Sequence, residues 1–160
     1  MIAGRITIED RLAIEDLYAR YVAALDERRY DDWLDLFIDE CRYRLVSREN
    51  DERGLALSLL AFESKGMLQD RIYGIRETLF HEPYYQRHLI VNFILTPGDG
   101  AIAVQANYLV IRTKSGQLSE VYNTGRCRDR IVATPDGFRF EERVCVFDSE
   151  LIPNSLIYPI

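Results

Sequence analysis

Residues 102–110 read IAVQANYLV, and this stretch decides the fold because every second residue in it is apolar. A period of two places successive side chains on opposite faces of a β-strand. The turn sequence Thr96-Pro97-Gly98-Asp99-Gly100 precedes this strand, and the hairpin turn Lys114-Ser115-Gly116 follows it. The stretch therefore predicts one strand of an antiparallel meander.

The rest of the carboxyl-terminal half continues the meander. We predict further strands over residues 87–93, 118–129 and 138–146, with a turn at Pro135-Asp136-Gly137 before the last of them. In that last strand two alternating sets of side chains are expected on opposite faces. One set is Phe138, Phe140, Glu142, Val144 and Val146, and the other is Arg139, Glu141, Arg143 and Cys145.

The amino-terminal half shows helical spacing instead. Thr7 followed by Asp10 resembles a capped helix start, and apolar residues then recur at intervals of three and four: Ile14, Leu17, Tyr18, Tyr21, Val22 and Leu25. A second amphipathic turn around Trp33 leads into a strand over residues 41–47. The all-polar run 48–54 predicts a solvated loop, and a third helix is predicted from Gly66, weakly interrupted at Gly74.

Helices followed by an antiparallel meander are typical of the α+β class. Such a sheet, with helices on one face, can close into a cone around a cavity or offer its other face to a partner. The run 151–160 is nearly all apolar, whereas a free tail is usually polar. We expect it to be tied down, either over its own domain or against another chain. Residues 1–160 are expected to form a single domain.

Composition excludes several classes of function. The net charge of −6 offers no attraction to nucleic acid or to anionic lipid. The apolar runs are far shorter than the roughly 20 residues that a membrane helix requires, and residues 1–4 lead directly into an acidic, helix-like segment rather than an export signal. We therefore expect a cytoplasmic protein that binds neither nucleic acid nor membrane.

Candidate metal ligands are few, with 2 His and 3 Cys in the chain. Cys41, Cys127 and Cys145 lie in strand-like stretches rather than in CxxC pairs, so we predict reduced, buried packing residues. No dinucleotide-binding, P-loop, GxSxG or HExxH motif is present. We therefore assign no catalytic, cofactor-binding or metal-binding residue to this chain.

The two histidines, His81 and His88, flank an aromatic and charged stretch and allow two interpretations. In the first, His88 is a general base that faces Asp26 or Tyr21 across a cavity. In the second, both histidines are structural and each imidazole bonds a backbone carbonyl or a carboxylate. The second interpretation leaves Asp26 as a solvated residue past the end of the first helix.

Tyrosine and arginine are enriched at the energetic centres of protein interfaces, and this chain has clusters of both. Arg126, Arg128 and Arg130 alternate along one predicted strand, which places three cations on one sheet face. Such a row is either a solvated face or a surface that pairs with acidic residues of a neighbour. The candidates for a subunit interface are Tyr84, Tyr85, Arg87, Arg126, Arg128 and Tyr158.

Four landmarks in this order resemble those of a known family: WLDLF (33–37), CRYRL (41–45), GMLQDRI (66–72) and RHLIVN (87–92). They resemble the small β subunits of Rieske-type aromatic-ring-hydroxylating oxygenases, and the resemblance covers nearly the whole chain. REN (48–50), FESKGM (62–67) and VFDSELIPNS (146–155) are most similar to the aromatic-acid branch. That branch includes salicylate, anthranilate, halobenzoate and terephthalate oxygenases, with the salicylate 5-hydroxylases nearest.

The resemblance implies a cone-like curved antiparallel sheet with amino-terminal helices packed on one face, a cystatin-like fold of the ketosteroid isomerase and scytalone dehydratase type. It implies a structural, non-catalytic subunit in an α3β3 hexamer. The α subunit would carry the Rieske [2Fe-2S] cluster and a mononuclear non-haem iron, and would receive electrons from NAD(P)H through a reductase and a ferredoxin. The reaction would hydroxylate an aromatic acid of the salicylate type with O2, by mono- or dioxygenation.

One alternative stays open at this point. The chain could be an autonomous cavity enzyme of the same fold, a dehydratase or an isomerase, that uses His88 with Asp26 or a tyrosine. A closed pocket with converging polar groups would favour that alternative.

Overall fold

A mixed six-stranded sheet with the strand order β2-β1-β6-β5-β4-β3 organises the protein. The computed structural model describes residues 5–152 and 155–160. The predictions made for residues 1–4, and those for residues 153–154 of the carboxyl-terminal run, lie outside the described residues. The strands are β1 (Phe37–Ser47), β2 (Leu60–Phe62), β3 (Tyr84–Pro97), β4 (Ile102–Lys114), β5 (Glu120–Thr134) and β6 (Gly137–Phe147).

Helices lie mainly in the amino-terminal half, so the predicted α+β class is confirmed. The first helix starts at the predicted capping box, in which Asp10 N donates to Thr7 Oγ1 and Thr7 N donates to Asp10 Oδ2, each at 3.0 Å. The helices are α1 (Ile8–Asp26), α2 (Tyr30–Leu34), α3 (Arg48–Glu52) and α4 (Lys65–Tyr73), the last continued by a π-helical turn over Gly74–Thr78.

Two local predictions need correction. The run 48–54 is not a continuous loop but contains α3, because Ser47 caps it by accepting a hydrogen bond from Asn50 N at 3.3 Å. The predicted antiparallel sheet contains one parallel pair, β1 with β6, since the last strand of the meander returns beside the first strand of the chain. The other four strand pairings are antiparallel.

The alternation predicted for β4 is confirmed, because residues 102, 104, 106, 108 and 110 are all buried. The alternation predicted for β6 is wrong beyond Phe140. A register shift opposite Arg130 and Ile131 of β5 inserts one extra residue, and each later side chain changes face. Arg143 and Cys145 consequently point inward together with Phe140.

Helices and the carboxyl-terminal run together cover the inner face of the sheet. α1, α2 and α4 pack over one half through a large cluster of aromatic and aliphatic side chains. Leu156 and Ile160 of the carboxyl-terminal run pack over the other half, on a cluster that includes Tyr108 and Tyr122. The interior of the cone is therefore filled by the chain's own residues.

Side-chain hydrogen bonds fasten residues 155–160, here called the tail, to this inner face. The Arg71 guanidinium donates to the carbonyl oxygens of Leu156 at 2.9 Å and Ile157 at 2.7 Å. The Ile160 carbonyl oxygen accepts from Tyr21 Oη at 2.5 Å and from Tyr43 Oη at 3.0 Å. Of the two positions expected for the carboxyl-terminal run, the described tail takes the one over its own domain.

An ion pair lies in the middle of the core, where Asp129 of β5 is paired directly across from Arg143 of β6. Arg143 Nη1 and Asp129 Oδ2 are 2.6 Å apart, and both side chains are fully buried. Tyr18 Oη donates to the same carboxylate oxygen at 2.5 Å, and the guanidinium lies 4.2 Å from the centre of the Tyr21 ring. Burial alone would lower the pKa of Arg143, but the Asp129 carboxylate holds it well above its ordinary value.

The first prediction concerns this pair. Asp129→Ala should lower the free energy of unfolding by about 3–5 kcal/mol, because it leaves the Arg143 cation buried without a counter-charge. The double variant Asp129→Leu with Arg143→Met should recover most of that loss, since it removes both charges and keeps the volume. Urea unfolding followed by tryptophan fluorescence measures both, and Arg53→Ala, which breaks an exposed pair with Glu49, is the control. A single variant as stable as this control would contradict the prediction.

The second prediction concerns pH. Burial raises the pKa of Tyr21 and of Tyr43 above the ordinary value, so their hydroxyls stay protonated and donate to Ile160. The unfolded chain releases tyrosine protons near pH 10, whereas the folded protein retains them to higher pH. The folded state then binds more protons, so the free energy of unfolding should fall as the pH rises beyond about 10.

Urea midpoints at pH 8 and pH 10.5 measure this effect. Tyr43→Phe should show a smaller fall between the two pH values than the unmodified protein, because it removes one titrating hydroxyl from the core. Tyr73→Phe removes an exposed hydroxyl and should leave the fall unchanged. Equal pH dependence in the two variants would refute the assignment.

Candidate functional site

The structure brings together one pair that the sequence suggested, His88 of β3 and Asp26 at the end of α1. His88 Nδ1 lies 2.6 Å from Asp26 Oδ1, and the side chains of the two residues are 1% and 5% exposed. The backbone N–H of His88 donates to the other carboxylate oxygen at 3.3 Å. The expectation that Asp26 is solvated past the helix end is therefore wrong, because α1 includes Asp26 and packs its carboxylate on β3.

The pair has no access to a substrate in this conformation. His88 Nε2 is buried and has no hydrogen-bond partner among the described residues. Five surface cavities formed by residues 5–152 and 155–160 are all lined by other residues. A general base must reach the proton that it abstracts, directly or through one water. Tyr21, the other suggested partner of His88, donates to Ile160 instead.

His81 makes contacts of the kind that the structural interpretation expects. Its Nδ1 lies 3.1 Å from the Leu79 carbonyl oxygen, and its Nε2 lies 2.7 Å from Tyr158 Oη. His81 and His88 thus have different partners and do not converge on one point. His81 helps to hold the tail, whereas His88 joins α1 to β3.

The donor atoms fit neither iron centre that the family resemblance implies for the complex. Cys41, Cys127 and Cys145 are buried and free, as predicted. The sulfurs of Cys127 and Cys145 lie 4.0 Å apart across β5 and β6, with no imidazole bonded to either. Within residues 5–152 and 155–160, no three or more His, Cys, Asp or Glu side chains are grouped as metal ligands. A Rieske cluster and a mononuclear iron both need such groups.

None of the helices in the described part of the chain combines the length and the apolar character that crossing a bilayer requires.

The interface candidates divide into exposed and buried residues. Tyr85 and Arg87 are exposed on β3, and Arg126 and Arg128 are exposed on β5. The structure places the other two candidates in the interior, with the rings of Tyr84 and Tyr158 centred 4.8 Å apart. Successive side chains of β3 alternate between the two faces of the sheet, and Tyr84 lies on the inner face and Tyr85 on the outer face. Tyr158 is buried because it belongs to the packed tail.

The arginine row lies on the outer face of β5, as its alternation predicts, and it pairs in part within the chain. Arg126 and Arg128 both contact the single carboxylate of Asp51 in α3. Arg130 contacts Glu141. These contacts leave two cations of the row sharing one negative charge.

Sequence reasoning missed the apolar residues that share this outer face. Leu89, Val91 and Ile94 of β3 and Val121 of β5 are all exposed. The uninterrupted apolar run Leu89-Ile90-Val91 could have indicated them, because it predicts a strand with apolar side chains on both faces. Such strands are usually covered on both faces. Exposed apolar patches of this kind mark interaction sites.

Comparison with known proteins places the chain in a family. Residues 7–144 match the model of the SnoaL-like domain. The small subunit of anthranilate 1,2-dioxygenase from Burkholderia cepacia is 32% identical over 145 residues, which cover 90% of each protein. The β 1 subunit of the terminal oxygenase component of terephthalate 1,2-dioxygenase from a Comamonas species is 26% identical, over 94% of this chain and 99% of that one.

Solved structures agree with these relatives. A protein from Novosphingobium aromaticivorans, assigned as the β subunit of an aromatic-ring-hydroxylating dioxygenase, superposes with a TM-score of 0.84 at 33% identity, covering 92% of this chain and 95% of that one. A protein from the same organism assigned as a scytalone dehydratase shares the fold, with a TM-score of 0.69 at 16% identity, covering 96% and 97%. The chain belongs to the SnoaL-like domain family and, within it, to the small β subunits of aromatic-ring-hydroxylating dioxygenases.

Proposed function

We propose that this β subunit is structural and non-catalytic, and that it holds the large α subunits of a cytoplasmic α3β3 terminal oxygenase in register. One observation carries the proposal: the interior, where an enzyme of this shape would hold its substrate, is filled by aromatic side chains and by the tail. The outer sheet face, in contrast, exposes apolar and cationic residues. A protein with a filled interior and an uncovered face is suited to binding another protein.

The chemistry then belongs to the α subunit. In this proposal the α subunit carries the Rieske [2Fe-2S] cluster and the mononuclear non-haem iron, and it receives electrons from NAD(P)H through a reductase and a ferredoxin. The proposed substrate is an aromatic acid of the salicylate type, which the complete enzyme hydroxylates with O2. The names of the anthranilate and terephthalate relatives support a carboxylated aromatic ring.

A second candidate function is the autonomous dehydratase or isomerase. The observation that favours it is the contact of 2.6 Å between His88 Nδ1 and Asp26 Oδ1, which is the geometry of an oriented base. The unpartnered Nε2 of His88 would be the catalytic atom. The filled interior opposes this function, because no described cavity leads to that atom.

The third prediction tests the proposed function. Purified alone, the chain should contain no stoichiometric iron and should not transform salicylate or anthranilate. Co-expressed with the large subunit of its own oxygenase, it should elute as one complex that contains iron and hydroxylates an aromatic acid when reductase, ferredoxin and NADH are added. Light scattering, metal analysis and chromatography of the products measure these outcomes. Iron or turnover in the isolated chain would overturn the proposal.

The fourth prediction separates the two functions through His88→Gln. If the pair is structural, the free energy of unfolding should fall by about 1–3 kcal/mol because the buried Asp26 carboxylate loses its bond to the imidazole, while turnover per iron in the assembled oxygenase stays unchanged. If His88 is a general base, the rate of the dehydration or isomerisation catalysed by the isolated chain should fall by about 10²–10⁴-fold. His81→Gln, which breaks a contact to the tail, is the matched control for the loss of an imidazole.

A further inference from the structure

Cys127 of β5 and Cys145 of β6 face each other in the core. They are direct partners in the antiparallel register of the two strands, and their sulfurs lie 4.0 Å apart. The backbone N–H of Asp148 donates to the Thr124 carbonyl oxygen at 2.9 Å, and hydrogen-bonded pairs alternate with non-hydrogen-bonded pairs along an antiparallel ladder. Counted from Thr124 along β5, the two cysteines therefore form a non-hydrogen-bonded pair, in which opposite side chains lie closest.

This arrangement is close to the one that a disulfide needs. A disulfide accepts Cα atoms separated by roughly 4.4–6.8 Å, a range that includes the roughly 4.5 Å of a non-hydrogen-bonded pair. The sulfurs must approach by about 2 Å to form the bond, which side-chain rotation can supply without a change of strand register. Cys41, the third cysteine, lies on β1 and makes no such sulfur contact with the rest of the described chain.

A cation lies beside the two thiols. Arg143 Nη2 is 3.3 Å from Cys127 Sγ, and a neighbouring cation favours the thiolate, which is the nucleophile in thiol oxidation. The hydrogen bond from Cys127, aided by the Arg143 cation, lowers the pKa of the Cys145 thiol, whereas burial raises the pKa of Cys127 well above its ordinary value. Cys145 is therefore the thiol that ionises first.

The tail covers these thiols. Cys127, Cys145, Leu156 and Ile160 belong to one buried cluster on the inner face of the sheet, and Cys145 Sγ lies 3.9 Å from the Ile160 carbonyl oxygen. Both thiols are fully buried while the tail is in place, and a cysteine buried in this way does not react. Detachment of the tail is therefore the local opening that would admit an oxidant to Cys145.

We propose that Cys127 and Cys145 are a redox modification site, at which a hydroperoxide closes a cross-strand disulfide when the tail detaches. With hydrogen peroxide, the Cys145 thiolate attacks one oxygen, the O–O bond breaks, and the departing hydroxide takes up a proton and leaves as water. The Cys127 thiolate then attacks the resulting sulfenic sulfur, and its hydroxyl group leaves as a second water. The two thiols lose two electrons to the peroxide, and the proposal does not depend on the proposed function.

The fifth prediction counts thiols with Ellman's reagent after denaturation. The chain has 3 cysteines, so the reduced protein should show three thiols, and protein treated with hydrogen peroxide while folded should show one. Non-reducing peptide mapping should identify a cross-link between residues 127 and 145, and dithiothreitol should restore all three thiols. Cys41→Ala keeps the pair and should lose both of its thiols, whereas Cys145→Ala should keep both.

Arg71→Ala tests the role of the tail. It removes the hydrogen bonds from the guanidinium to the carbonyl oxygens of Leu156 and Ile157, so the tail should detach more often and the disulfide should form about tenfold faster or more. Ile14→Val removes one buried methylene from α1 and keeps those bonds, so it controls for a general loss of stability. It should oxidise at nearly the rate of the unmodified chain, as measured by acid quenching and thiol counting.

Three results would overturn the proposal. If the folded protein keeps all its thiols in hydrogen peroxide that oxidises the urea-unfolded chain, the two cysteines are not a modification site. If the cross-link includes Cys41 or joins two chains, the assigned pair is wrong. If Arg71→Ala and Ile14→Val oxidise at the same rate, the tail does not control access to the thiols. The mapping uses the unmodified protein, so its result does not depend on whether a cysteine variant folds.

Discussion

The buried pair between Arg143 and Asp129 is the constraint on which the interior depends. Two opposite charges can be enclosed at this depth only if they remain together, because their mutual attraction offsets the loss of hydration. Asp129 Oδ1 and Arg143 Nε are buried and have no hydrogen-bond partner among the described residues, so the contact between the two charges carries most of that compensation. Tyr18 bonds the carboxylate, and Tyr21 stacks on the guanidinium. The pair joins β5 directly to β6, so the same contact that satisfies the charges also fixes the register of the two strands.

The tail is built on this polar centre. The hydroxyls of Tyr21 and Tyr43, kept protonated by their burial, hold the Ile160 carbonyl oxygen above the inner face. The tail in turn covers the half of the sheet that α1, α2 and α4 do not reach. A fold that could have enclosed a cavity is thereby packed with the chain's own side chains on the inner face of its sheet.

Local pattern predicted the parts of the fold that local physics determines. The capping box at Thr7 and Asp10 and the alternation along β4 depend on neighbouring residues alone, and both were predictable. The parallel pairing of β1 with β6 depends on residues about a hundred positions apart, which no local period encodes. The expectation that Arg143 and Phe140 lie on opposite faces was wrong, because one bulge changes the direction of every later side chain in β6 and the alternating sequence does not show where it occurs.

In the candidate site, too, features set by neighbouring residues were predictable and features set by distant contacts were not. Alternation alone was enough to place the arginine row on one sheet face, but the burial of Asp26 was not predictable, because a carboxylate at a helix end is usually solvated. In the folded chain this residue links the two sides of the sheet: it accepts a bond from the inward-facing His88 and lies near the outward-facing Arg87. His88 and Arg87 are adjacent on β3 and point in opposite directions. The Asp26 carboxylate at the end of α1 is thus within reach of residues on both faces of β3.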